Sequence, residues 1–170
     1  MFDIHETLLR LFAAMLCGML IGLDRTLHGK PTGVRTLGLV SLGSALMVMA
    51  SMDFSFGNGA VLADPNAVSR AIQGIITGIG FLGAGVILRD TNQHVRGLTT
   101  AASVWVTACL GIVCGLGAWK TAGIALLMII GLLTVGGRLE KYLRQKLDQW
   151  VPITIPEMDK NDGADKKDIL

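Results

Sequence analysis

The chain is short of charge. Only 16% of its 170 residues are Asp, Glu, Lys or Arg, against about 25% in an ordinary soluble domain. Cysteine is scarce as well, with three in the whole chain, which excludes a disulfide scaffold. The net charge is only +2, and the basic residues are not gathered into one large patch, so no nucleic-acid partner is expected. What is plentiful is apolar surface: 51% of residues are hydrophobic and the mean hydropathy is +0.56. That much apolar surface excludes a disordered chain. Glycine is also in excess, at 22 residues, roughly twice the usual share of about 7%. These features point to an integral membrane protein with glycine-packed helices.

The few charges are clustered. None lies between Leu11 and Leu23, Thr36 and Met52, Ala71 and Leu88, Gly97 and Trp119, or Thr121 and Gly137. A helix crossing a bilayer needs about 20 apolar residues. Five windows fit, at 6–23, 36–52, 70–88, 98–117 and 119–137. A soluble domain of this length cannot hide five helices that are apolar on all sides. The fold class expected is therefore all-α, a polytopic membrane protein of about five transmembrane helices. Orientation follows from Lys and Arg in the short loops. Arg25, Lys30 and Arg35 share one loop, Arg89 and Arg96 another, and Arg138, Lys141, Arg144 and Lys146 follow the fifth window. The other side holds Asp3, Glu6, Asp53 and Asp64 with few basic residues. The N-terminus is expected outside and the C-terminus inside. The acidic start and the lack of an A-x-A site argue against a cleaved signal peptide.

Three regions are expected: a transmembrane domain over 1–137, an amphipathic helix over 138–151, and a disordered polar tail over 152–170. Leu139, Tyr142, Leu143, Leu147 and Trp150 recur at helical spacing, which suits a helix lying at the membrane interface. Helix three is the most unusual span. Gly74, Gly78, Gly80, Gly83 and Gly85 fall on two sides of it. Smooth sides let neighbours approach closely, so this helix is expected at the centre of the bundle. Gly18 and Gly22 form a small-xxx-small pair in helix one. The two hairpins also look like a faint repeat: Leu23-Asp24-Arg25 with Val34-Arg35-Thr36-Leu37, then Leu88-Arg89-Asp90 with Val95-Arg96-Gly97-Leu98.

Several of these stretches resemble one known family. Gly18-Met19-Leu20-Ile21-Gly22-Leu23-Asp24-Arg25 is similar to the first-helix motif of the MgtC/SapB family. Lys30-Pro31-Thr32-Gly33-Val34-Arg35-Thr36 resembles its following loop, and Gly43-Ser44-Ala45-Leu46 its second helix. Gln73-Gly74 and the run Gly78 to Ile87 resemble the third, and Val95 to Trp105 the loop and fourth helix. The likeness covers roughly 10–137. One departure is Asp24 where the family usually has Glu. A second is the chain's short C-terminal part, where long members carry a soluble domain. The resemblance implies a multi-pass protein of the bacterial inner membrane, associated with low-magnesium adaptation and virulence. It also implies either contact with another membrane complex, such as the ATP synthase, or magnesium transport.

The chemistry favours a protein without catalysis. His5, His28 and His94 are isolated and lack metal-ligand spacing. No cofactor is expected, Mg2+ aside. Ion pathways normally place Asp, Glu or His within the spans, and the middle thirds of all five windows have none. Magnesium prefers hard oxygen ligands, so a path would have to use glycine carbonyls with Thr77, Thr99, Thr100 and Ser103. The candidate network is Asp24, Arg25, Lys30, Arg35, Arg89, Asp90 and Arg96, with Thr99, Thr100 and Ser103. An ion pair from Asp24 and Arg25 to Arg35 or Arg96 would fix the two loops; the plain alternative is that the basic residues set topology and touch lipid phosphates. The partners expected are the bilayer and either a second copy of the chain or another membrane complex.

Overall fold

The computed structural model describes residues 3–55, 64, 66–89 and 95–150. Five helices dominate: α1 (Ile4–Leu27), α2 (Val34–Ser55), α3 (Ala67–Val86), α4 (Leu98–Gly115) and α5 (Trp119–Trp150). Each includes a stretch long and apolar enough to cross a membrane, the second over Val34–Asp53 and the fifth over Trp119–Gly137. These spans coincide with the charge-free windows to within a few residues. The tail over 152–170 lies outside the described residues, as does Asp90.

The chain forms one compact unit up to Thr134 and a second from Val135. In the first unit, α4 packs against α1, α2 and α3, and α2 also packs against α1 and α3. Ala14 and Ile21 of α1, Leu37 and Ala45 of α2, Ile79 of α3, and Val104, Ala108, Leu110 and Cys114 of α4 form the core. Ala122 of α5 joins them. In the second unit, residues 135–150 continue α5 and expose Leu139, Tyr142 and Leu143. The segment expected to be an amphipathic helix is helical over its described residues. Its Leu, Glu, Lys, Arg and Gln residues are good helix formers, and no breaker other than Gly136-Gly137 separates it from the span.

The central position expected for the glycine-rich third helix needs correction. α4 holds the centre, with ten of its 18 residues buried. In α3 only Ile79 and Gly83 are buried. An added Cβ at Gly74, Gly78, Gly80 or Gly85 would meet nothing within 4 Å, and at Gly83 it would touch Ala101 at an ordinary 3.7 Å. The close glycine contacts are made elsewhere. A Cβ at Gly18 would strike the Leu37 carbonyl and lie 2.8 Å from Ser41 Cβ. At Gly22 it would fall 2.6 Å from Val34 Cα. At Gly111 it would strike the Ser41 carbonyl, and at Gly115 it would lie 2.9 Å from the Ala45 carbonyl. α2 therefore lies flush between α1 and α4, and large residues cannot replace these four glycines. The physical reason for the error is simple: glycine content shows where close approach is allowed, not where it happens within one chain.

The two loops also differ, so the faint repeat does not extend to their structure. The first turns through Gly29 and Thr32, both at positive φ. The second contains a two-residue antiparallel ladder, β1 (Leu88–Arg89) with β2 (Val95–Arg96), registering Leu88 with Arg96 and Arg89 with Val95. This small ladder departs from a purely helical fold. Gly97 closes it at φ +94°, with its α-carbon against the Val86 carbonyl. Left-handed backbone and the lack of room both demand glycine there.

Candidate functional site

α1 is bolted to α4 at both ends by arginine. Successive buried residues of α1 are Arg10, Ala14, Gly18, Ile21, Gly22 and Arg25. Their spacing of three to four places them on one side of the helix. The two arginines cap a stripe of small residues, and Leu8, Leu9, Phe12, Leu16, Leu20 and Leu23 are exposed around it.

At one end, Arg25 is only 2% exposed. Its Nη1 donates to Ser103 Oγ at 2.8 Å, and its Nη2 to Thr100 Oγ1 at 2.5 Å. Nε and Nη2 both reach the Pro31 carbonyl at 3.4 Å. Ser103 Oγ in turn donates to the Thr99 carbonyl at 2.8 Å, and Thr107 Oγ1 to the Ser103 carbonyl at 2.7 Å. The back-bond of Ser103 satisfies its hydroxyl hydrogen locally and leaves its oxygen lone pairs for the guanidinium. A rigid five-donor fork reading two hydroxyls one turn apart is a task Lys could not do. The fork ties α1, the first loop and α4 together. Arg25 makes no salt bridge with any described carboxylate within 4 Å. Asp24 is instead turned toward His28, whose Nδ1 lies 3.4 Å from its carboxylate. The same Nδ1 sits 2.7 Å from the Asp24 carbonyl. A carbonyl can only accept, so that nitrogen carries the proton.

The candidate network is thus only partly assembled. Arg25, Thr100 and Ser103 come together, with Thr99 contributing its carbonyl. Arg35 and Lys30 are exposed, and the expected pairing of Asp24 and Arg25 with Arg35 is not among the ion pairs of the described residues. Neutral hydroxyls replace it, because a second cation beside a buried one would be repelled. Arg89 and Arg96 stand in the two short strands.

The opposite end was not anticipated. Arg10 is 8% exposed and donates from Nη1 to the Gly115 carbonyl at 2.7 Å. Its Nη2 pairs with Glu6, one turn before. The Gly117 turn, at φ +76°, lies against the same guanidinium. Two signals for this end were present in the sequence. Glu6 and Arg10 stand at i and i+4 at the start of a span, and Gly111-Ile112-Val113-Cys114-Gly115 is a small-xxx-small pair.

With this geometry in place, the comparisons are decisive. The family model described as MgtC family matches residues 11–142. The chain belongs to the MgtC family. Protein SrpB of Synechococcus elongatus is 45% identical over 165 residues, covering 86% of both chains. Protein MgtC of Salmonella typhimurium is 43% identical over 123 residues, covering 72% of this chain and 49% of its own length. Protein SapB of Bacillus subtilis is 39% identical over 128 residues, covering 74% and 54% respectively. The chain thus spans about half the length of the last two relatives. No solved structure matches it. The MgtC-family match embraces both the Arg25 fork and the α1–α2–α4 glycine contacts.

Proposed function

We propose that this MgtC-family chain is a non-enzymatic stress-adaptation protein of the bacterial inner membrane, acting by docking another membrane protein against α3. The observation that carries this reading is the outward side of α3. Gln73, Gly74, Thr77, Gly78, Gly80, Ala84 and Gly85 are exposed there around a protruding Phe81, while Ile72, Ile75, Ile76 and Ile79 turn toward the chain. Lipid tails offer no hydrogen bonds, so an amide facing them is costly. Small residues permit close backbone approach, and Gln side chains bond across helices. A protein surface suits this side better than lipid does. A membrane complex such as the ATP synthase, suggested by the resemblance, is the first partner to test.

Magnesium transport is the second reading, and the buried Arg25 cation weighs against a path between α1 and α4. A divalent ion at that end would meet an unneutralised guanidinium in a low-dielectric setting. Two measurements separate the readings. Purified protein in liposomes is tested for magnesium entry with an entrapped indicator, and affinity-purified membranes are tested for a co-purifying complex. Docking predicts no saturable flux and a complex lost on Gly78→Leu or Gln73→Leu. Saturable magnesium flux that survives those substitutions overturns it. Recovery of only a second copy of the chain would redirect the docking to self-association.

A further inference from the structure

Among the described residues, Arg25 is a buried cation without an anion. It is 2% exposed and makes no salt bridge. Buried charges are ordinarily paired with an opposite charge. A guanidinium has five N–H groups. Arg25 uses four, in bonds to Ser103, Thr100 and twice to Pro31. The second hydrogen of Nη1 has no acceptor there. Thr100 is left in a similar state. Its Oγ1 accepts from Arg25 at 2.5 Å. The hydroxyl hydrogens of Ser103 and Thr107 go to backbone carbonyls, whereas that of Thr100 meets no acceptor among the described residues. Thr100 is 3% exposed, so bulk water does not take that hydrogen.

Thr100 also stands in the first turn of α4, where the N-cap Gly97 offers no side chain to the free amides. First-turn N–H groups point out along the helix axis and carry partial positive charge. All of these unused groups are donors. The nearby acceptors are taken: the Pro31 carbonyl and Ser103 Oγ by Arg25, and the Thr99 carbonyl by Ser103. A metal ion needs oxygen lone pairs and would find none free, whereas an oxyanion would find only hydrogens. Phosphate is the oxyanion that helix N-termini and guanidinium groups both hold. Leu98 and Thr99, which open α4, are exposed, as are Leu27 at the end of α1 and Ile87 after α3. Exposed apolar side chains at this end of the spans suit a headgroup with acyl chains beside it.

We infer that Arg25, Thr100 and the first turn of α4 form a phosphate-binding corner, filled by a phospholipid headgroup. The phosphate approaches from the exposed side of α4, and its oxygens take the first-turn amides and the Thr100 hydroxyl. Arg25 stays buried behind Thr100. It polarises that hydroxyl and supplies the opposite charge in a setting of low dielectric. The headgroup in turn neutralises a guanidinium that the described residues leave bare. This differs from exposed lysines and arginines touching lipid phosphates, because the groups that carry it are buried and fixed by hydrogen bonds.

The test uses the full chain in an uncharged, phosphate-free detergent, titrated separately with dioctanoyl phosphatidylglycerol, dioctanoylglycerol and inorganic phosphate. Phosphatidylglycerol should raise the unfolding temperature saturably, and dioctanoylglycerol should not. Saturable binding of inorganic phosphate alone keeps the corner and moves its source to solution. In a chain carrying isotope-labelled threonine, the Thr99 and Thr100 amide signals should shift on addition of phosphatidylglycerol. That measurement needs no variant, so it decides even if Thr100→Val fails to fold. Thr100→Val should weaken binding by about tenfold, the loss of one hydrogen bond to a charged group, and Thr100→Ser should retain it. Lys30→Ala and Arg35→Ala, at exposed positions, should weaken it less than Thr100→Val does. No saturable binding of either phosphate probe, equal stabilisation by dioctanoylglycerol, unmoved threonine amides, or a loss that follows Lys30 and Arg35 but not Thr100 would each overturn the inference.

Discussion

α1 and α3 solve the same problem in opposite ways. α1 buries its small and charged residues and exposes a belt of leucines. α3 turns its isoleucines inward and exposes glycine, Gln73 and Thr77 beside Phe81 and Leu82. In a bilayer the first arrangement is self-sufficient. Leucine meets lipid at no cost, and polar groups are paired within the bundle. The second leaves an amide and a row of open notches toward whatever surrounds the chain. Glycine therefore has two meanings here. On α1 and α4 it is consumed by contacts inside the chain; on α3 all but the buried Gly83 remain unused.

The comparison can be broken most severely at the consumed glycines. Gly111→Leu would drive a side chain into the Ser41 backbone, and backbone cannot yield as a flexible side chain can. Overpacking costs about 1–3 kcal/mol in a core that can relax, and more is expected here. The variant should fail to give a monodisperse peak in detergent, while Gly78→Leu should give one. Next comes Arg25→Ala. It removes two charge-assisted hydrogen bonds, each worth about 1.5–3 kcal/mol, offset by relief from burying a cation. A net loss of about 2–3 kcal/mol is expected, read as a lower unfolding temperature in detergent. Arg25→Lys should not restore it, since one ammonium cannot serve both hydroxyls in the same fork. Arg35→Ala, at an exposed position, should stay within about 0.5 kcal/mol of the parent. A strong loss there would revive the loop-to-loop ion network.

A smaller effect of opposite sign is expected at Ser41. It is fully buried between Gly18 and Gly111, and its hydroxyl has no hydrogen-bond partner among the described residues. An unsatisfied buried hydroxyl costs about 1–3 kcal/mol. Ser41→Ala keeps the close approach and removes that cost. Its unfolding temperature should rise, by the equivalent of about 1 kcal/mol. A fall would mean that the hydroxyl has a partner in the membrane-embedded protein.

The spans were legible because one physical variable, the exclusion of charge, sets them. The Gly18–Gly22 pair was legible as a packing motif, and it packs. Arg25, Thr100 and Ser103 were singled out from their motifs, yet the form of their interaction was not. Charge near charge suggests ion pairs, whereas the fold brings α4 hydroxyls to the guanidinium across 75 and 78 residues of sequence. Arg10 was overlooked for a related reason. Its acceptor on α4 is a backbone carbonyl 105 residues away, and a carbonyl leaves no mark in sequence. The position of α3 was misjudged because sequence shows where small residues are, while packing decides which of them are used.

The mildest prediction bears on that last distinction. Gly78→Leu adds a large side chain where nothing lies within 4 Å. Its effect on the isolated chain should be within about 0.5 kcal/mol, as for most surface positions, with helix propensity favouring Leu over Gly. Its effect on a docked partner should be large, because the added side chain would hold two helix backbones apart. The measurement is a pair: unfolding temperature of the purified chain, and recovery of the partner complex from membranes. Unchanged stability with lost recovery means that the notches of α3 are a contact surface. Unchanged stability with full recovery means that lipid fills them, and α3 then differs from α1 only in how economically it meets the bilayer.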